Sequence, residues 1–139
     1  AVRALAMLFE PAAEKVIVKA LNDPHPDVRI EATLGLMIGI GNSVERSLKS
    51  RMKDKSPRVR HFAAAALYRR GNAAGIRGLL KDAVEGDDLV RASAGQSLRF
   101  LAHQDFGYTW DAERPAREAA AARALTWFTS QTDGPAIPR

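Results

Sequence analysis

Three histidines and no cysteine make up this chain's whole stock of nitrogen and sulfur ligands. Nucleophilic catalysis needs a hydroxyl or thiol held by a base that a third group orients, and no Gly-x-Ser-x-Gly run supplies the hydroxyl. His25 stands between Pro24 and Pro26, His61 in an alanine-rich stretch and His103 beside an aromatic one. They form no His-x-x-x-His motif, and no acid cluster joins them as metal ligands. Asp105-Phe106-Gly107 spells the metal-binding triplet of kinases, but no glycine-rich loop, strand lysine or catalytic loop accompanies it. The expectation is a chain that is not an enzyme, with no catalytic, cofactor-binding or metal-binding residue.

Charge offers a different chemistry. Residues 44–81 hold eleven Lys or Arg against Glu45 and Asp54, while residues 1–43 and 82–139 are net −1 and −3, so one block produces the overall +5. A basic stripe is the electrostatic footprint of nucleic-acid binding. Arg46, Lys49 and Lys53 fall opposite Val44, Leu48 and Met52 on a helical wheel and read as a solvated outer face; Arg58, Arg69 and Arg70 are the possible nucleic-acid contacts. Such charges curve away from one another, so only weak, sequence-independent binding is expected from them.

The elements that must position these residues are set by an internal repeat. Val28-Arg29, Val59-Arg60 and Val90-Arg91 recur with a period of 31. Ala32, Ala63 and Ala94 follow in register, as do Leu36, Leu67 and Leu98, and an acid precedes each arginine at Asp23, Asp54 and Glu85. Fainter copies flank them at Val2-Arg3 and Ala116-Arg117. Each unit reads as two helices: an amphipathic first one, then a second that begins after a turn rich in Asp, Pro and Ser. Pro26 and Pro57 suit a first helical turn, and the Gly-Asn pairs at 41–42 and 71–72 suit helix ends. About eight helices are predicted, near 1–9, 12–22, 26–40, 43–53, 57–70, 73–84, 88–102 and 113–130, and no stretch alternates like a strand. No apolar run approaches the ~20 residues that span a bilayer, so no membrane partner is expected. The chain begins at Ala1 without methionine, so an upstream segment of the native protein is expected to be missing; a cytoplasmic location fits the lack of cysteine.

The unit D-x-x-x-x-V-R-x-x-A-x-x-x-L, preceded by an amphipathic helix, resembles the HEAT repeat, in the short variety of about 30 residues known from bacterial phycobilin-lyase-like proteins. The resemblance covers residues 1–130, one solenoid of about four repeats whose first is partial, with 131–139 a flexible tail. It implies an all-α fold, a right-handed α-solenoid or superhelix of stacked antiparallel helix pairs. The second helices line the concave side, and the acid and arginine columns tie neighbouring repeats together. Asp23 with Arg29, Asp54 with Arg60 and Glu85 with Arg91 would then be the ties.

The wheel places the residues one, five, eight and twelve after each arginine opposite the Val, Ala and Leu columns, on the concave row. They run Ile30, Leu34, Met37, Gly41, then His61, Ala65, Tyr68, Asn72, then Ala92, Gln96, Arg99, His103. Leu34, Met37, His61, Tyr68, Gln96 and Arg99 are the candidate partner-binding residues, grading from apolar through aromatic to polar and basic, a mixture suited to a peptide or helix of another protein. The expected function is a protein-interaction scaffold; nucleic-acid binding is the alternative. Near the end, Phe106, Tyr108, Trp110, Trp127 and Phe128 depart from the repeat and are expected to close off the last core, as a solenoid's end repeat must.

Overall fold

Helix ends in this chain are written by prolines, aspartates and one glycine. The computed structural model describes residues 11–37 and 42–132. The expected helix over 1–9, Gly41 and most of the expected tail lie outside the described residues. Among the described residues there are seven helices and no strand: α1 (Pro11–Ala20), α2 (Pro26–Leu36), α3 (Asn42–Arg51), α4 (Pro57–Arg69), α5 (Ala74–Glu85), α6 (Asp88–Ala102) and α7 (Arg114–Thr132). The last helix takes in residues 131 and 132, expected to belong to the tail. None of the described helices is long and apolar enough to cross a membrane. The chain divides into two compact units, Ala1–Gly75 and Ile76–Arg139.

In the first unit Pro26 and Pro57 open α2 and α4 after extended residues at His25 and Ser56, where a missing N–H costs nothing. The aspartates two residues before those caps fold the turn back: Asp23 Oδ1 accepts the His25 amide at 2.8 Å, and Asp54 Oδ1 that of Ser56 at 2.9 Å. Gly71 ends α4 with φ +74°, its amide donating to Tyr68 O and that of Asn72 to Leu67 O, a Schellman closure that glycine makes without strain. The Asn72 side chain then accepts the Ala74 amide and starts α5. Helix α2 packs on α1, α3 and α4, and α3 packs on α4. The core between them holds Ile17, Leu21, Ala32, Leu36, Val44, Leu48, Ala66 and Leu67. The alanine and leucine columns of the repeat are thus its buried faces.

The arginine column is buried as well, and here the expected pairing changes. Arg29 reaches past its own repeat and holds the Asp54 carboxylate with two bonds of 2.8 Å, while Arg60, expected to hold that carboxylate, donates instead to the Asp54 backbone carbonyl. The reason is geometric. Six residues of chain wrap the turn so that each arginine lies beneath the carbonyls of its own acid's turn, and the carboxylate, fixed by its bond to the turn amide, faces the neighbouring repeat. Arg29 shows both halves, since its Nη1 also donates to Asp23 O and Pro24 O. Arg51 adds a second tie between repeats, donating to Leu21 O at 2.6 Å.

In the second unit Asp87 caps α6 by accepting the Val90 amide, leaving Glu85 exposed at the end of α5. Arg91 therefore does not pair with Glu85 as expected. It donates to Gly86 O and Trp110 O, and pairs with Asp88. Arg117 repeats the pattern, donating to Ala112 O and to Val84 O.

The aromatic loop packs on this unit. Tyr108 lies across Gly95, where an added Cβ would fall 2.3 Å from the ring, and its hydroxyl donates to the Ala83 and Arg91 carbonyls at 2.8 and 3.1 Å. Phe106, Trp127 and Phe128 form a ring cluster with centroids 5.0–6.1 Å apart, anchored by Arg123, which donates twice to Phe106 O. Trp110 departs from the expectation: the residue is 42% exposed, and what the fold holds of it is its backbone carbonyl, which accepts from Arg91.

Candidate partner-binding surface

The second helix of each pair buries one face and offers another. On α4 the buried face is Val59, Arg60, Ala63, Ala64, Ala66 and Leu67. Its opposite side carries exposed Arg58 and Arg69 at the two ends, with half-buried His61, Phe62 and Tyr68 between them. His61 stands edge-on to Phe62 with ring centroids 5.0 Å apart. Burial pushes the His61 imidazole below its ordinary pKa, keeping it neutral, and pushes the Tyr68 phenol up. Ala65, midway along this side, is 8% exposed and counts with the buried residues of the helix. On α2, Leu34 and Met37 are half-buried, and Met37 packs against the core cluster, while Ile30 is buried outright and presents no free surface. Asn72 spends its side chain on Glu45 and the α5 cap.

In the second unit Gln96, Arg99 and His103 are exposed along α6. Arg99 pairs with Asp105 at 2.8 Å, both side chains about half in solvent. Beside them is a shallow, open depression lined by Gly95, Leu98, Phe106, Tyr108 and Ala124 among others. The same face carries two large residues that the sequence reading passed over: Leu89, 71% exposed, and Phe100, 65% exposed. Eleven residues separate them, three helical turns, so they stand on one side about 16 Å apart. A signal for them was present in the sequence. One repeat earlier their columns hold Arg58 and Arg69, residue types that do not belong in a core.

Of the possible phosphate contacts, Arg58 is exposed and loosely paired with Asp27 at 3.4 Å, Arg69 is exposed, and Arg70 is half-buried at the end of α4. Arg46 and Lys49 stand in solvent on α3, and Lys53 in the turn after it, while Val44 and Leu48 are buried on the helix's other face. No group of three His, Asp or Glu side chains suited to a metal ion occurs among the described residues.

A family model of HEAT repeats matches residues 14–99. The chain belongs to the HEAT-repeat family. Its fold is accordingly of the α-solenoid class built from antiparallel helix pairs, and the 31-residue period is the HEAT period of this chain. No curated protein and no solved structure matches it.

Proposed function

We propose that this HEAT-repeat chain is a non-enzymatic scaffold that binds a segment of another protein along the outward faces of its second helices. One observation carries the proposal: Leu89 and Phe100 hold two large apolar side chains in solvent on one side of α6, next to Gln96 and Arg99. Apolar and aromatic anchors bordered by arginine are the groups that supply most of the affinity at protein interfaces. Leu34, Met37, His61 and Tyr68, on the first unit, are a separate candidate surface of their own. HEAT repeats commonly serve as protein-binding scaffolds and are typically non-enzymatic.

A nucleic-acid role is the second reading, favoured by the basic block alone. Two of its arginines are absorbed by the fold, Arg51 and Arg60, through bonds to Leu21 O and Asp54 O. A pull-down with the whole chain, with and without nuclease, separates the two. Capture that survives nuclease and is lost in Leu89→Ser/Phe100→Ser supports the scaffold. Capture abolished by nuclease, or untouched by the double substitution, refutes it.

A further inference from the structure

The outward sides of α4 and α6 are built on the same columns with opposite chemistry. Where α6 sets Leu89 and Phe100, α4 sets Arg58 and Arg69, again three turns and about 16 Å apart. Between the two arginines lie the edge-stacked His61 and Phe62 pair and Tyr68, all half-buried. Neither arginine belongs to the fold. Arg69 has no ion-pair partner among the described residues, and the Arg58 contact to Asp27 joins side chains 72% and 82% exposed, the kind of pair that contributes almost nothing. This contrasts with Arg29, Arg51 and Arg60, all held by carbonyls or by Asp54.

From this arrangement we infer that the α4 side is a docking surface for an acidic peptide segment carrying an aromatic or apolar residue between its acids. The complementarity runs in both terms. Arg58 and Arg69 offer forked donors to two carboxylates, spaced so that an anchor side chain between them meets Phe62 and Tyr68. The surrounding residues 44–81 carry eleven cations against two acids, which draws in an acidic chain and repels a basic one. A duplex fits less well, because its phosphates need only the cations and would leave the aromatic side chains unused. The inference rests on the interaction-scaffold reading and adds the class of partner.

The test uses the whole chain and three labelled probes in fluorescence anisotropy: a random copolymer of glutamate and tyrosine, poly-glutamate of matched charge, and a random-sequence DNA duplex. The copolymer should bind tightest and keep part of its affinity in high salt. Arg58→Glu/Arg69→Glu should weaken it about tenfold or more, as loss of charge-assisted hydrogen bonds does, whereas Arg46→Glu/Lys49→Glu, an equal change in net charge on exposed residues, should leave it within about twofold. Phe62→Leu keeps apolar bulk at the half-buried site, and should erase the preference for copolymer over poly-glutamate while leaving poly-glutamate unchanged. Equal binding of copolymer and poly-glutamate, equal losses from the two double variants, tighter binding of DNA, or no binding of any probe would each overturn the inference. If the nuclease-resistant capture through Leu89 and Phe100 stands while the copolymer fails, the acidic partner alone is refuted; if both fail, the scaffold falls with it.

Discussion

Replacing Asp54 with alanine should cost the first unit about 3–5 kcal/mol, far more than an ordinary ion pair. An exposed pair contributes about 0–1 kcal/mol, and a hydrogen bond lost at a charged group about 1–3. Asp54 exceeds both because its side chain is 4% exposed and that of Arg29 only 5%. The carboxylate accepts twice from Arg29 at 2.8 Å, once from the Ser56 amide at 2.9 Å, and faces Arg51 at 3.5 Å. Its removal strands a guanidinium out of water. Arg29 keeps its bonds to Asp23 O and Pro24 O, which places the expected loss toward the lower end, near ~3 kcal/mol.

Urea unfolding followed by far-UV circular dichroism is the assay, since both tryptophans, Trp110 and Trp127, lie in the second unit and leave the first silent in fluorescence. Adding Arg29→Met to Asp54→Ala should restore part of the loss, because the stranded charge goes with it. A loss under about 1 kcal/mol, or no recovery in the double variant, would refute the idea that a buried charge sets the cost. The pH dependence gives an independent check. Burial alone pushes the Asp54 carboxyl up, but the Arg29 hydrogen bonds, the Ser56 amide and the charges of Arg29 and Arg51 more than reverse this, holding it below the usual range. A lowered native pKa means that the unfolded chain binds the proton first. The contribution is therefore whole above the unfolded value of about 3.9 and is lost as pH falls through the native one. Wild type should lose stability more steeply below pH ~4 than Asp54→Ala does.

Tyr108→Phe should cost about 1–3 kcal/mol by leaving the Ala83 and Arg91 carbonyls without their donor, and Gly95→Ala should cost a similar amount through the clash with the Tyr108 ring; tryptophan fluorescence in urea reads both. His103 ends α6 at φ +54°, so His103→Gly should raise the unfolding midpoint, relieving roughly 1 kcal/mol of left-handed strain. Burial holds the His61 imidazole below its ordinary value, so the unfolded chain protonates first and stability should fall as pH drops below about 6.5; His61→Phe should flatten that slope in pH-dependent urea melts.

The repeat was legible because its signal lies in identities at a fixed period. Five columns in three copies mark Leu36 and Leu67 as core, and the prolines beside them, Pro26 and Pro57, mark helix starts. The direction of the ties was not legible. Asp54 precedes Arg60 by six residues and follows Arg29 by 25, and nothing in the spacing says which arginine its carboxylate faces. That depends on the turn amide that fixes the carboxylate, a bond made only after the chain folds. Surface was misjudged for a related reason. The wheel separates two sides of a helix but cannot tell how far a core extends around it, so Ile30 falls inside while Leu89 and Phe100 stand out. Trp110 was assigned to the cap by its ring, whereas the loop is held by the Tyr108 hydroxyl and by backbone carbonyls.

Counting charges along the sequence treats every arginine alike, and the structure sorts them by what lies within reach. Arg29, Arg60, Arg91 and Arg117 each sit in the first turn of a helix, and each donates to a carbonyl five or six residues upstream, in the turn that leads into that helix. The guanidinium suits this work because several forked donors can satisfy turn carbonyls and a neighbour at once, where a lysine would supply a single point charge. Arg29 uses the remaining donors on Asp54, Arg91 on Trp110 O and Asp88, and Arg117 on Val84 O. An arginine so engaged has little left to offer a ligand. What a partner can meet is the set that the turns do not take, and on α4 that set is Arg58 and Arg69 beside two half-buried aromatic rings. The column position, rather than the local density of positive charge, thus decides which arginines build the scaffold and which face outward from it.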